Sequence, residues 1–216
     1  MKLQEKMAAI ALGDSGESLE GTFLAGASGD ERGAVIAPPH PLYGGSMESP
    51  VVAEVAFACH RAGIATLRFN WRGVGASAGE PSGEERDADD DYGAALMHLA
   101  ETVPGALLAC GYSFGSAAAV RAAERSPRVR RLVLVAPPPQ LIAPARIAAL
   151  RARVLVVTGD RDHFVPLPAL KDAFASAANV TLRVLPGVDH FFMNGLSALG
   201  REVHEWLGGV DGTSAP

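Results

Sequence analysis

Ser113, Asp160, Asp162 and His190 follow one another along the chain, each just past a short apolar run. A serine hydroxyl is a poor nucleophile near neutral pH and needs an adjacent base. The base in turn needs a carboxylate to fix its tautomer and stabilise its charged form. Residues of these types in this order point to attack on an acyl group. The serine carries the sharpest signal. The apolar run Leu107-Leu108-Ala109-Cys110 leads into Gly111-Tyr112-Ser113-Phe114-Gly115, and small residues follow. That pattern predicts a strand turning abruptly into a helix, with Ser113 held at a strained bend. The start of a helix presents free N–H groups, which favour a developing negative charge.

Six histidines compete for the role of base. His60, His98 and His204 fall in predicted helices, where packing or surface roles suffice. His40 precedes the serine, and His163 adjoins the candidate acid. His190 alone follows the last predicted strand, in a loop with Gly187. For the acid, Asp162 is favoured over Asp160, which could instead fold back onto backbone N–H groups as a turn residue. Asp189 reads as a loop carboxylate. The oxyanion needs two backbone donors. Phe114, directly after the nucleophile, supplies one; Leu42, in the loop after the third strand, is expected to supply the other, with Tyr43 as the alternative. Pro41 has no N–H. His40, Tyr43, Asn70, Tyr112 and Phe191 are the candidate pocket residues.

These residues need strands to place them. A hairpin of residues 8–12 and 19–24 comes first, then apolar runs at 34–37, 64–69, 107–112, 132–136, 154–158 and 181–185, most of them alternating with helical segments. Such a rhythm predicts an α/β fold: a mostly parallel sheet of about seven to eight strands, an antiparallel N-terminal edge hairpin, and helices on both faces. Sites in such sheets lie beyond the carboxyl ends of the strands. Helices are expected over 51–62, 84–101 (opened by a capping box at Ser82-Gly83-Glu84-Glu85), 114–126, 167–177 and 197–207. The acidic start of the second helix reads as a solvated, dipole-compensating face. Residues 1–207 are expected to form one domain, and 208–216 a frayed polar tail.

Composition narrows the function classes. The 216 residues are 48% hydrophobic and 20% charged, with a net charge of -5, so no broad basic surface for nucleic acid or anionic lipid is implied. No membrane span or leader segment is visible, and the two cysteines read as small buried hydrophobes in a reducing compartment. A cytoplasmic protein with no metal and no cofactor is expected. Asp87, Asp89 and Asp91 do not make a calcium loop, because Tyr92 stands where glycine is required. Gly73-Val74-Gly75 lacks the third glycine of a dinucleotide fingerprint.

The motifs His40-Pro41-Leu42-Tyr43-Gly44-Gly45-Ser46-Met47, Arg68-Phe69-Asn70-Trp71-Arg72-Gly73-Val74-Gly75-Ala76-Ser77, Gly111-Tyr112-Ser113-Phe114-Gly115, Gly159-Asp160-Arg161-Asp162 and Asp189-His190-Phe191-Phe192 together resemble the α/β-hydrolase superfamily. The likeness is strongest to a compact lidless bacterial subgroup with a dienelactone-hydrolase-like core. It implies Ser113 as nucleophile, Asp162 as acid and His190 as base. The short connection from Pro137 to Arg153 leaves little room for a lid. A carboxylesterase acting on small, short-chain acyl esters is the expected function, in particular on aryl esters. Thioesterase, peptidase or acyltransferase activity would use the same machinery, and a non-catalytic binding protein would keep only the fold. Neither nucleic acid nor membrane is expected as a partner, and monomer or homodimer is left open.

Overall fold

The computed structural model describes residues 4–209. Eight strands form one sheet in the order β1-β2-β4-β3-β5-β6-β7-β8. β1 (Lys6–Ala11) and β2 (Ser18–Leu24) make the antiparallel edge hairpin, and β2 also runs antiparallel to β4 (Ala65–Phe69). From there β3 (Gly33–Ala37), β5 (Leu107–Tyr112), β6 (Val129–Val135), β7 (Arg153–Gly159) and β8 (Val180–Leu185) are parallel. β3, β4 and β5 are buried at every position, as expected for the apolar runs of β3 and β5, while β4 also buries the polar Thr66 and Arg68.

The winding direction reverses at β3. The chain steps one way from β3 to β4, then back past β3 to β5, β6, β7 and β8. Right-handed crossovers therefore put α1 (Pro50–Arg61) on one face, and α2 (Glu85–Thr102) and α3 (Phe114–Arg125) on the other. α1 packs against α6 (Leu196–Gly208), and α2 against α3. The reversal opens a crevice between the ends of β3 and β5, where such sheets place their sites. Between β6 and β7 there is one short helix, α4 (Pro144–Ala149). Among the described residues, no helix is long and apolar enough to cross a membrane. Cys59 and Cys110 are free and buried.

Four expectations need correction. Ser82 does not cap α2: its hydroxyl accepts the N–H of Glu84, two residues on, and the N-cap Glu84 makes no side-chain cap bond. A short local turn competes successfully with the capping box there. The acidic start of α2 is also not simply solvated. Asp91 is buried and takes both the backbone N–H and the guanidinium of Arg72, while Asp89 takes Arg121 and Arg125 of α3. Burial pushes the Asp91 carboxyl up, against the pull of Arg72. The helix α5 (Leu167–Phe174) ends before Ala177, whose N–H closes a turn on the Phe174 carbonyl. Finally, α6 runs through Gly208, where the tail was expected to start; residues 210–216 of that tail lie outside the described residues.

Candidate active site

Ser113 joins β5 to α3 with φ 52 and ψ -116, a left-handed conformation that a non-glycine residue adopts only under constraint. The constraint comes from packing. A Cβ on Gly111 would lie 2.2 Å from the Gly115 carbonyl oxygen, and one on Gly115 would lie 2.6 Å from that of Pro38. Only glycines let strand and helix approach this closely. The bend is anchored by the Ser113 N–H donating to Val135 O at 2.8 Å. Phe114, first residue of α3, keeps an N–H without a partner among the described residues.

The loops after β7 and β8 bring up the other two side chains. His190 Nε2 lies 3.1 Å from Ser113 Oγ, and His190 Nδ1 lies 2.7 Å from Asp162 Oδ2. The other oxygen of Asp162 accepts the N–H groups of Phe164 and Val165, each at 2.9 Å. The carboxylate is thus oriented from its own loop. Asp160 does something else: it accepts the Gly187 N–H and so ties the β7 loop to the β8 loop. Asp189 accepts the Met193 N–H within its own loop. Ser113, Asp162 and His190 form a continuous line of contacts with Asp162 and His190 buried and Ser113 partly open.

The pocket candidates separate. Tyr112 is buried, and its hydroxyl donates to the His190 carbonyl at 3.0 Å. It props the histidine loop from below. Burial, with the nearby charges of Asp162 and Asp189, pushes its phenol well above the usual range, so it remains a donor. Asn70 is buried too: Oδ1 accepts Met47 N–H, and Nδ2 donates to Glu20. It fastens the β3 loop to β2. His40 packs on Phe114 and Tyr43, with ring centroids 4.5 and 4.7 Å apart. Tyr43 and Phe191 are exposed.

The second donor is where spacing and structure differ most. Pro41–Tyr43 form a single 3₁₀ turn whose N-cap is His40. The Leu42 N–H donates to His40 Nδ1 at 3.2 Å, and the Tyr43 N–H to the His40 carbonyl at 3.1 Å. Both candidate donors are engaged inside the loop. Burial lowers the His40 pKa and so favours the neutral ring, and the Leu42 N–H that Nδ1 accepts leaves the remaining ring proton on Nε2.

Two aromatic residues, one inside a motif and one just beyond another, take parts that their spacing does not announce. Trp71 Nε1 reaches the carbonyls of Pro38 and Pro39, at 3.3 and 3.0 Å, and its ring meets Phe114 edge-on. Phe164 packs against the His190 ring at 4.9 Å. The only signal for either was an aromatic residue inside a loop that ends a strand. Among the described residues no cluster of His, Cys, Asp and Glu could hold a metal. A cleft of about 400 Å³ lies between β2, β4 and α1, lined by Leu24, Phe57 and Arg68 among others, and includes none of the residues of this site.

Residues 41–145 match the sequence profile of the family described as "Serine aminopeptidase, S33". An uncharacterized protein of Rickettsia prowazekii is 29% identical over 208 residues, covering 88% of this chain and 84% of that protein. Two solved structures are close. An alpha-beta serine hydrolase homologue from Coxiella burnetii superposes with a TM-score of 0.84 at 28% identity, covering 96% of this chain and 98% of its own. A serine hydrolase without a lid from Xanthomonas campestris gives 0.78 at 28%, covering 96% and 97%. These likenesses show that the eight-stranded, mostly parallel sheet with its surrounding helices is the α/β-hydrolase fold, in a form without a lid.

Proposed function

We propose that the chain is a serine esterase that cleaves short-chain aryl esters through an acyl-enzyme at Ser113. The observation that carries this reading is the unbroken line from Ser113 Oγ to His190 Nε2 and from His190 Nδ1 to Asp162. In the first half-reaction Ser113 Oγ bonds to the ester carbonyl carbon while its proton passes to His190 Nε2. Asp162 stabilises the imidazolium, and the Phe114 N–H binds the oxyanion. Collapse breaks the bond to the leaving oxygen, which takes the proton from His190. Water then repeats the sequence with roles reversed and releases the acid. Leu42 is assigned as second donor, turning from His40 to the oxyanion as it forms. The short segment between β6 and β7 leaves the site open, which suits small soluble esters better than long lipid chains. Nothing in its chemistry calls for a cofactor, and a cytoplasmic setting fits two free, buried cysteines.

Ser113→Ala is expected to lower hydrolysis of acetyl and butyryl esters by about 10³-fold or more. It should also abolish labelling by a fluorophosphonate while leaving the melting temperature unchanged. Retained turnover would move the nucleophile elsewhere. Wild-type protein that neither hydrolyses these esters nor takes the label would end the enzyme reading in favour of a binding protein. The match to a serine aminopeptidase profile favours a second reading, cleavage of an amide by the same residues. Aminoacyl anilides turned over faster than the matching esters would select it.

A further inference from the structure

We propose that Phe164 and Phe191 form a subsite for an aromatic leaving group. The proposal rests on the esterase reading and adds which part of the substrate is recognised and by what. On that reading the leaving oxygen takes its proton from His190 Nε2, so whatever is attached to that oxygen must lie against the neighbours of His190. Three rings surround the imidazole. Tyr112, buried, sits at 5.6 Å and is tied to the His190 backbone. Phe164 sits at 4.9 Å with a 50° tilt, and Phe191 at 5.6 Å and 89°. These two come from different loops, after β7 and after β8, and meet each other nearly perpendicular at 6.1 Å. They are also 59% and 60% exposed.

Two phenyl rings left in water beside the base are costly to maintain unless something covers them. The backbone is arranged to display one of them. Phe192 adopts φ 57 and is fully buried, packing edge-on against Tyr112, and this turns the preceding Phe191 outward. A strained residue held by burial next to a site is a feature the fold sustains against its own cost. The acyl oxygen, by contrast, is drawn toward Phe114 and the His40 side of Ser113. The leaving group is left with the Phe164 and Phe191 side. Rings set at 81° to each other offer a third ring both a face and an edge, the arrangement aromatic groups prefer.

Benzyl acetate and n-propyl acetate share an acyl group and release alkoxides of similar basicity, so their ratio of kcat/KM reports recognition of the leaving group. In Phe164→Ala/Phe191→Ala the benzyl-to-propyl ratio should fall about tenfold relative to wild type. Phe164→Tyr, which keeps the ring, should restore most of it in the single-site series. A ratio unchanged by the double substitution, in protein that still takes the fluorophosphonate label, would overturn the subsite and leave the hydrolase standing. Wild-type protein with neither turnover nor label would remove both. A concentration-dependent dimer lost in the double variant, with the ratio intact, would assign the rings to a second copy of the chain and likewise overturn the proposal.

Discussion

On the β7–β8 side of Ser113, the two loops are laced to each other and to the sheet. Asp160 holds Gly187, the Arg161 N–H reaches Val188 O, and Tyr112 holds the His190 carbonyl from β5. On the β3 side, the loop is fastened at its ends by Trp71 and Asn70, yet its own N–H groups turn inward. Leu42, Tyr43 and Gly45 all donate to His40, and Gly44 to Pro41. One flank already has its side chains in contact with one another and with Ser113. The other is complete only when a donor leaves an internal partner. Preorganised charge-handling needs no rearrangement at the moment of reaction, whereas a donor that must first break a bond gives up part of what it supplies. On the esterase reading, the half of the site that would move the proton is the rigid half, and the half that would hold the oxyanion is the adjustable one.

The sharpest way to break that comparison is at the acid. Asp162→Asn should lower kcat by about 10³-fold, as expected when a base loses its orienting carboxylate, while Asp160→Asn should cost about threefold or less through loosened loops. Similar losses at the two positions, measured on one acetyl ester, would mean that loop lacing and charge relay are not separable. On the other flank, His40→Ala should lower kcat/KM about tenfold by removing the cap that shapes the 3₁₀ turn. A rise instead would show that His40 withholds Leu42 from the oxyanion. The pH dependence has a definite sign. The His40 pKa is lowered by folding from its ordinary 6.5, so below that value the unfolded chain binds a proton that the folded one resists. Its contribution to stability is present above pH 6.5 and is lost as pH falls through the folded pKa. Melting temperatures of wild type should drop more steeply with acid than those of His40→Gln, and parallel slopes would count against the cap. A similarly small effect is expected for Tyr112→Phe: about threefold in kcat, with KM little changed, for one lost hydrogen bond beneath His190. A larger loss in kinetics on the same ester would show that the rigid flank hangs on this one hydroxyl.

Much of the framework was legible because it is written in local patterns. Continuous apolar runs announced β3, β5, β6 and β7, and the glycines around Ser113 announced a close crossing of strand and helix. The order of Ser113, Asp162 and His190 then followed from which strand ends carry them. What stayed hidden depends on partners far along the chain or on a side chain's choice between neighbours. Asn70 looked like a pocket residue until Glu20 and Met47, distant in sequence, proved to occupy its amide. Asp91 looked solvated because no spacing rule links it to Arg72. The engagement of Leu42 by His40 is a two-residue contact, but nothing in His-Pro-Leu says whether the imidazole faces the backbone or the solvent. Phe164 was passed over since an aromatic two residues beyond an aspartate carries no pattern of its own.

The connection between β6 and β7 has a further consequence for the time course of turnover. It holds only the six residues of α4 in helical form, too few for a domain that closes over Ser113. Enzymes that close over their substrates often wait on opening, and product release sets their pace. On the esterase reading this chain has no such gate. Its tempo is then governed by the water that must reach the acyl-enzyme, and a burst of alcohol should appear without any preceding lag.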